Sequence, residues 1–311
     1  MYYSNCSNCS KREISFTINF ASAVSGEEIR KAGAGEYFTA QGRGCPFANH
    51  RKGKTMGKII AITNQKGGVG KTTTAVNLSA WLAEMGKKTL MVDLDPQGNT
   101  TSGLGCRVKD GNSVYDAMMG RTKTEDCIQK TGVKKLRLVG ADIRLAGAEV
   151  ELVGVERREY VLKTLLAPIR EDYAFILIDC PPSLSLLTLN ALAAADSVLI
   201  PIQCEYYALE GVTSLMNTIG RVKKTMNPRL EIEGILLTML DGRTNLGLQV
   251  VDQVKKHFRK EVFATTIPRN VRLGEAPSHG EPIHIYDPKS SGAQAYHALA
   301  KEVLARNTKK E

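Results

Sequence analysis

The sequence predicts an α/β fold with a doubly wound, mostly parallel sheet and helices on both faces. Short apolar runs alternate with helix-length amphipathic segments between residues 58 and 306, as expected when helices connect parallel strands. A glycine-rich turn follows the first apolar run, and aspartates follow the second and fourth runs. Polar groups therefore gather at the carboxyl ends of strands, where doubly wound folds bind ligands.

The first apolar run, residues 59–63, leads into the glycine-rich turn and then into helix-forming residues as far as Glu84. Glycines let successive backbone N–H groups surround a phosphate, and the following helix directs the positive end of its dipole at the same anion. We expect Lys71 to contact the β- and γ-phosphates and the Thr72 hydroxyl to bind Mg²⁺. The predicted nucleotide-binding residues of this turn are Gly67, Gly68, Val69, Gly70, Lys71, Thr72 and Thr73.

The turn departs from the strict phosphate-loop pattern, because Gln65 stands where that pattern has glycine and a second lysine, Lys66, follows. With this lysine, the sequence from Met56 nearly to the C-terminus resembles the ParA/Soj partition branch of the deviant Walker A P-loop ATPases. The resemblance implies binding of ATP and Mg²⁺. It also implies an ATP-dependent homodimer in which Lys66 reaches the partner's nucleotide. The alternative for Lys66 is an ordinary solvated loop cation.

Carboxylates follow two of the predicted buried strands. Residues 89–92 lead to Asp93 and Asp95, and residues 175–178 lead to Asp179. Because the ends of parallel strands meet at one edge of the sheet, these carboxylates are expected beside the phosphate loop. The Asp-Pro-Gln-Gly run at residues 95–98 also suits a turn, which would present Asp95.

These residues make up the predicted chemistry of the site. An aspartate that ends a buried strand is the Walker B arrangement, which supplies a carboxylate to Mg²⁺. By the resemblance, Asp95 positions the attacking water. The predicted metal-site residues are Thr72 and Asp179, together with Asp93, which the resemblance places near Mg²⁺. The predicted catalytic residues are Lys66, Lys71 and Asp95.

The rest of the chain continues the alternation. Residues 103–134 are irregular and polar, and the apolar residues of 142–169 suit one or two helices that pack in the core. Further strands are predicted at 135–139, 197–202, 232–240 and 262–267. Further helices are predicted at 184–195, 209–226, 246–260 and 292–306.

Two later segments carry roles that only the resemblance implies. Pro268 and Asn270 match a family loop that closes over adenine, and Arg243 and Arg272 match arginines that contact DNA. With the basic end of the helix at 246–260, these arginines could track phosphates. The sequence offers no base-reading motif or aromatic platform, so we expect nonspecific binding to double-stranded DNA.

Composition is that of a soluble globular protein: 311 residues, 42% hydrophobic and 24% charged, with a formal net charge of +10. The positive charge favours an anionic partner. No apolar run is long enough to span a membrane, and no secretory signal is recognisable. The seven unevenly spaced cysteines indicate reduced thiols. We therefore expect a cytoplasmic protein, and the resemblance implies that it associates with the nucleoid.

Residues 1–55 differ in composition from the remainder, being rich in Ser, Gly, Asn and Ala without helical or strand periodicity. We expect a mostly disordered extension that precedes an ATPase domain at 56–311. Two alternatives stay open. The natural start could be Met56, or Cys6, Cys9, Cys45 and His50 could form a metal knuckle.

The resemblance implies that the protein is an ATPase that segregates a chromosome or plasmid. The ATP-bound dimer would bind DNA, and a ParB-type centromere-binding protein would stimulate hydrolysis and release. The alternative is a MinD-like or cargo-positioning ATPase on a membrane or protein scaffold. The short, polar end of the last helix argues against membrane attachment. An iron–sulfur relative of the same fold is disfavoured because Cys106, Cys127, Cys180 and Cys204 follow no cluster pattern.

Overall fold

The computed structural model describes residues 57–205, 208–243 and 245–308. The predictions for residues 1–55, including the metal knuckle, lie outside these ranges. The described strands are β1 Lys58–Ile62, β2 Thr89–Asp93, β3 Ile128–Lys130, β4 Leu136–Val139, β5 Phe175–Asp179, β6 Ser197–Gln203, β7 Glu231–Leu240 and β8 Val262–Pro268. The described α-helices are α1 Lys71–Glu84, α2 Asn99–Gly103, α3 Val114–Met118, α4 Leu145–Glu151, α5 Val161–Leu166, α6 Leu186–Ala194, α7 Ala208–Thr225, α8 Asn245–His257, α9 Val271–Glu275, α10 Ile283–Tyr286 and α11 Ser291–Thr308.

The strands form an eight-stranded sheet in the order β3-β4-β2-β5-β1-β6-β7-β8. Neighbouring strands run parallel except β3, which is antiparallel to β4. The predicted fold class is confirmed. The order places β5 between β1 and β2, and Asp179 pairs in register with both Ile62 and Asp93. Two adjacent strands, β2 and β5, thus end in aspartates, next to the turn that follows β1.

The core has one layer on each face of the sheet, because alternate strand residues point to opposite sides. In β1, Ile59 and Ala61 belong to one buried cluster, whereas Ile60 and Ile62 belong to the other. The first cluster includes residues of α3 to α8, and the second includes α1 and α11. These central strands are apolar on both faces, as expected for a covered parallel sheet.

Helix α1 has defined signals at both ends. It begins after Gly70, whose φ of 86° lies in the left-handed region that favours glycine. At its other end, the Gly86 N–H donates to the Ala83 carbonyl, and the Lys87 N–H donates to the Leu82 carbonyl. This is the Schellman arrangement, with Gly86 at φ 88°. The sequence predicted both ends of this helix correctly.

The segment expected to be irregular contains regular elements. Within residues 103–134 the structure has α3, a 3₁₀ helix and β3. Helix α3 begins with a capping box, in which the Ser113 hydroxyl accepts from the Asp116 N–H and the Asp116 carboxylate accepts from the Ser113 N–H. The Ser-x-x-Asp spacing was the signal for this helix.

The interpretation of residues 142–169 as core packing was partly wrong. Leu145, Ala148 and Leu152 are buried as expected. Ile143 and Val150, however, are 69% and 75% exposed. Ile143 precedes helix α4, and Val150 lies five residues after Leu145, on the side of the helix away from the buried stripe.

Apolar residues of the last helix are buried in the core. Tyr296, Leu299 and Val303 of α11 are buried in the second core cluster. The Arg306 guanidinium lies 4.0 Å from the centroid of the Phe263 ring on β8. None of the helices in the described ranges is long and apolar enough to cross a membrane.

Candidate active site

The glycine-rich turn between β1 and α1 forms an open cradle. Gly67 and Gly68 are exposed, and no atom lies within 4 Å of the position that a Cβ would take at either residue. Gly68 has a φ of 72°, which favours glycine. At the start of the turn, the Lys66 N–H donates to Asn64 Oδ1 (3.0 Å), and Asn64 Nδ2 donates to the Pro201 carbonyl (2.7 Å). Asn64 thus ties the turn to β6.

The cationic side chain of the turn, Lys71, is held from inside the fold. Lys71 is only 7% exposed, and its Nζ donates to the Lys66 carbonyl at 3.1 Å. Burial lowers the pKa of Lys71, and the nearby Asp179 carboxylate opposes that shift. The Thr238 hydroxyl of β7 donates to the Val69 carbonyl at 2.9 Å. The ammonium group therefore lies along the turn.

Thr72 and Asp179 meet as the sequence predicted. The Thr72 hydroxyl donates to Asp179 Oδ2 at 2.8 Å, and the Thr100 hydroxyl of α2 donates to the same oxygen at 2.7 Å. Asp179 Oδ1 is buried and has no hydrogen-bond partner. Since the Thr72 proton is committed to the carboxylate, its lone pairs remain for a cation. These oxygen donors suit Mg²⁺, which favours hydroxyl, carboxylate and water oxygens.

The second predicted carboxylate, Asp93, has partners on both oxygens. Oδ2 accepts from the Thr101 N–H (2.8 Å) and from the Thr101 hydroxyl (2.7 Å), and Oδ1 accepts from the Asp95 N–H (3.2 Å). The Asp-Pro-Gln-Gly run forms the expected turn, with the Gln97 N–H on Asp95 Oδ1 at 3.0 Å. The Gly98 N–H donates to the Asp95 carbonyl.

Two buried carboxylates side by side create an electrostatic cost. Burial, followed by the charge of Asp93, raises the pKa of Asp179 to about 7 although Thr100 and Thr72 stabilise its ionised form. Burial raises the pKa of Asp93 to about 6 against the hydrogen bonds from Thr101. A cation at this place would neutralise part of the cost, which is a second reason why the site suits Mg²⁺.

Lys66 lies at the exposed rim of the cradle. Its Nζ is 3.0 Å from Oε2 of Glu205, and the other carboxylate oxygen of Glu205 accepts from Gln203 Nε2 at 2.5 Å. Both charged side chains are about half exposed. Lys66 is therefore not simply solvated, but an exposed pair of this kind is weak.

The residues expected at the adenine base and at DNA have other contacts in this structure. Pro268 ends β8, and Asn270 caps α9 through the Arg272 N–H (2.8 Å) while its amide nitrogen donates to Ser291 Oγ (2.8 Å). Arg272 Nη1 lies 2.8 Å from Glu275 Oε2. The Arg243 side chain is 89% exposed, and its guanidinium forms two hydrogen bonds to Asp241, at 2.9 and 2.8 Å. Both arginines thus already face carboxylates.

Several residues at the site were not predicted, among them Asn64, Thr100, Thr101, Glu205 and Thr238. Thr100 and Thr101 follow Asp95 closely enough to have been candidates, since hydroxyl groups often orient metal-site carboxylates. Glu205 and Thr238 reach the phosphate loop only through the sheet order. The sequence carried no local signal for these two contacts.

The chain is similar to known proteins over most of its length. A family model described as an AAA domain matches residues 57–232. The sporulation initiation inhibitor protein Soj of Bacillus subtilis is 61% identical over 251 residues, covering 80% of this chain and 99% of that protein. The chromosome partitioning protein ParA of Myxococcus xanthus is 53% identical over 274 residues, covering 87% of this chain and 94% of that protein.

Solved structures agree with this similarity. The crystal structure of cobyrinic acid a,c-diamide synthase from Mycobacterium smegmatis, with a bound ATP analogue and magnesium, has a TM-score of 0.72 to this chain. The two sequences are 38% identical, and the match covers 82% of this chain and 97% of that one.

Proposed function

Because the chain belongs to the Soj/ParA family of chromosome-partitioning ATPases, we propose that it is an ATP-driven switch that binds DNA. In this proposal ATP and Mg²⁺ hold two subunits together, and the dimer binds double-stranded DNA without sequence preference at the nucleoid. Hydrolysis, stimulated by a ParB-type partner, separates the dimer and releases the DNA. Repeated cycles move a chromosome or plasmid.

The observation that carries the proposal is the meeting of the open cradle with an incompletely bonded carboxylate. Gly67 and Gly68 leave room for phosphate, and Lys71 lies along the turn. Asp179 accepts from the Thr72 hydroxyl on Oδ2, whereas its Oδ1 has no hydrogen-bond partner. A buried, unpaired carboxylate oxygen is costly without a ligand. The arrangement is therefore the one expected of a site for Mg²⁺ and a nucleoside triphosphate.

Each residue has a defined task in hydrolysis. Backbone N–H groups of the turn and Lys71 bind the phosphates, and Asp95 orients water in line with the γ-phosphorus. The water oxygen bonds to phosphorus, the bond to the β–γ bridging oxygen breaks, and ADP and phosphate are the products. Mg²⁺, when bound, neutralises charge on the phosphate oxygens. Lys66 of one subunit stabilises charge on the nucleotide of the other.

Lys66 must leave Glu205 to act across a dimer. The contact is an exposed ion pair, for which the stabilisation is typically below about 1 kcal/mol. A triphosphate carries more negative charge than one carboxylate and competes for the lysine. The Glu205 contact therefore orients Lys66 at the rim of the cradle without preventing the lysine from moving to the nucleotide of the other subunit.

The DNA surface would be formed by Arg243, Arg272 and the basic end of α8. The last turn of α8 carries Lys255 and Lys256, which are exposed. Asp241 and Glu275 compete with phosphate for the two arginines. We therefore expect weak, salt-sensitive contacts that need two subunits to retain DNA. Arg243→Ala should weaken DNA retention without changing nucleotide affinity, and Asp241→Asn should strengthen it.

Dimerisation through Lys66 provides the first test. The Asp95→Ala protein, which should bind but not hydrolyse ATP, is compared with the Lys66→Ala/Asp95→Ala and Lys87→Ala/Asp95→Ala variants by light scattering with ATP and with ADP. Lys87 is an exposed lysine beyond the end of α1 and serves as the matched control. The Asp95→Ala protein and the Lys87 control should dimerise only with ATP. An ATP-dependent dimer of the Lys66 variant contradicts its role across the interface.

A further inference from the structure

The two buried aspartates at the ends of β2 and β5 differ in one respect. Asp179 has an oxygen without a hydrogen-bond partner, whereas Asp93 accepts hydrogen bonds on both oxygens. Neither side chain is exposed to solvent. Two carboxylates that are equally buried and adjacent in register are therefore bonded very differently.

The partners of Asp93 lie at the two ends of one short segment, residues 95–101. Its Oδ1 accepts from the N–H of Asp95, where the segment begins, and its Oδ2 accepts from the N–H and hydroxyl of Thr101, where the segment ends. One side chain thus closes the segment that presents the Asp95 carboxylate. Charge-assisted hydrogen bonds of this kind are about twice as strong as neutral ones.

The Thr101 hydroxyl is itself fixed on both sides. It donates to Asp93 Oδ2 at 2.7 Å and accepts from the Ala141 N–H at 3.0 Å, which connects the segment to the residues after β4. Its neighbour Thr100 turns the other way and donates to Asp179 Oδ2. Two successive threonines of α2 therefore hold the two carboxylates separately.

We propose that Asp93 is a positioning residue for the Asp95 loop, held in place by Thr101, and that Asp179 is the carboxylate that serves the metal. This differs from the expectation that both aspartates belong to the metal site. The inference rests on the proposed function, because it assigns roles within ATP hydrolysis. Loss of the hydrogen bonds between Asp93 and Thr101 lets the Asp95 carboxylate move relative to the γ-phosphate, while the metal and nucleotide stay bound.

The test separates metal binding from catalysis. Affinity for a fluorescent ADP analogue is measured with Mg²⁺ and with EDTA, and single-turnover ATP hydrolysis is measured in the presence of DNA. In Thr101→Val, the ratio of nucleotide affinity with Mg²⁺ to that with EDTA should stay within about threefold of the wild-type ratio, and ATP affinity should be unchanged. Hydrolysis should slow about tenfold or more. Thr101→Ser, which restores the hydroxyl, should recover most of the rate.

Asp179→Asn is the comparison variant, and it should lose most of the Mg²⁺ effect on nucleotide affinity. Asp93→Asn should behave like Thr101→Val. A loss of the Mg²⁺ effect in Thr101→Val or Asp93→Asn, comparable to that in Asp179→Asn, overturns the inference. So does unchanged hydrolysis in Thr101→Val. Wild-type protein without any Mg²⁺-dependent nucleotide binding would instead refute the proposed function, and this inference with it.

Discussion

Asp179→Asn should make the nucleotide-free protein more stable at pH 7.5, although it removes a residue of the metal site. Burial raises the pKa of Asp179 from its ordinary 3.8 to about 7. The folded state therefore binds a proton that the unfolded state releases between these two pH values. Stability from this group falls as pH rises from about 4 to about 7, because the unfolded state binds fewer protons there.

The size of the effect follows from the same values. A pKa difference of this size corresponds to a penalty of about 4 kcal/mol above pH 7 and about 2 kcal/mol at pH 5. In the variant, the new amide oxygen can still accept from Thr72 and Thr100. The amide nitrogen would take the place of the unpartnered Oδ1, at a cost of roughly 1–2 kcal/mol. The net gain should be about 2–3 kcal/mol at pH 7.5 and near zero at pH 5.

Urea unfolding in EDTA without nucleotide, at pH 5.0 and 7.5, measures this gain. Asp116→Asn is the matched control of opposite sign, because burial raises the pKa of Asp116 but hydrogen bonds from Ser113 and Arg144 outweigh it and hold that pKa below its ordinary value. That variant should lose stability at pH 7.5. Equal destabilisation by Asp179→Asn at both pH values would refute the reasoning, since it would mean that the ionised carboxylate costs the apo fold nothing.

Three further predictions concern other contacts. Gly280→Ala should destabilise the fold by roughly 3 kcal/mol in thermal unfolding, because residue 280 has a φ of 66° and a Cβ there would lie 2.7 Å from Gly105 Cα. Gly111→Ala is the control: this residue has a φ of 78° but lies in open space, so the substitution should cost about 1 kcal/mol. Similar losses in both would exclude the close approach as the cause. Thr238→Val should weaken nucleotide binding about fivefold in calorimetry, with Thr238→Ser near wild type, because the bond to the Val69 carbonyl is lost; equal affinity in all three proteins would contradict a role for this bond. Glu205→Gln should change ATP-dependent dimer affinity in light scattering by less than about fivefold; loss of the dimer would show that the Lys66 contact is essential.

Prediction from sequence worked where the signal is local. The glycine turn, Lys71 and the helix to Glu84 are contiguous, so backbone rules alone place them. The Thr72 and Asp179 contact could also be expected, because the turn that leads to Thr72 and the strand that ends at Asp179 meet at one edge of a parallel sheet. Short elements were missed instead: β3 has three residues, and α3 has five.

The remaining features depend on the tertiary arrangement. No periodicity shows that Thr101 bonds Asp93 while Thr100 bonds Asp179, because the choice depends on how α2 lies against the sheet. The pairing of Arg243 with Asp241 was readable at a spacing of two, but the bidentate geometry of the contact emerges only from the structure. Exposure of Val150 likewise depends on which face of α4 packs against the core.

The most direct test of the switch is retention of the Asp95→Ala protein on random-sequence duplex DNA, with ATP and with ADP, over a salt series. The account predicts retention with ATP only, falling steeply as salt rises, and weakened in the Arg243→Ala/Asp95→Ala and Arg272→Ala/Asp95→Ala proteins. Equal retention with both nucleotides, or none with either while Mg²⁺ and ATP still bind, would contradict it.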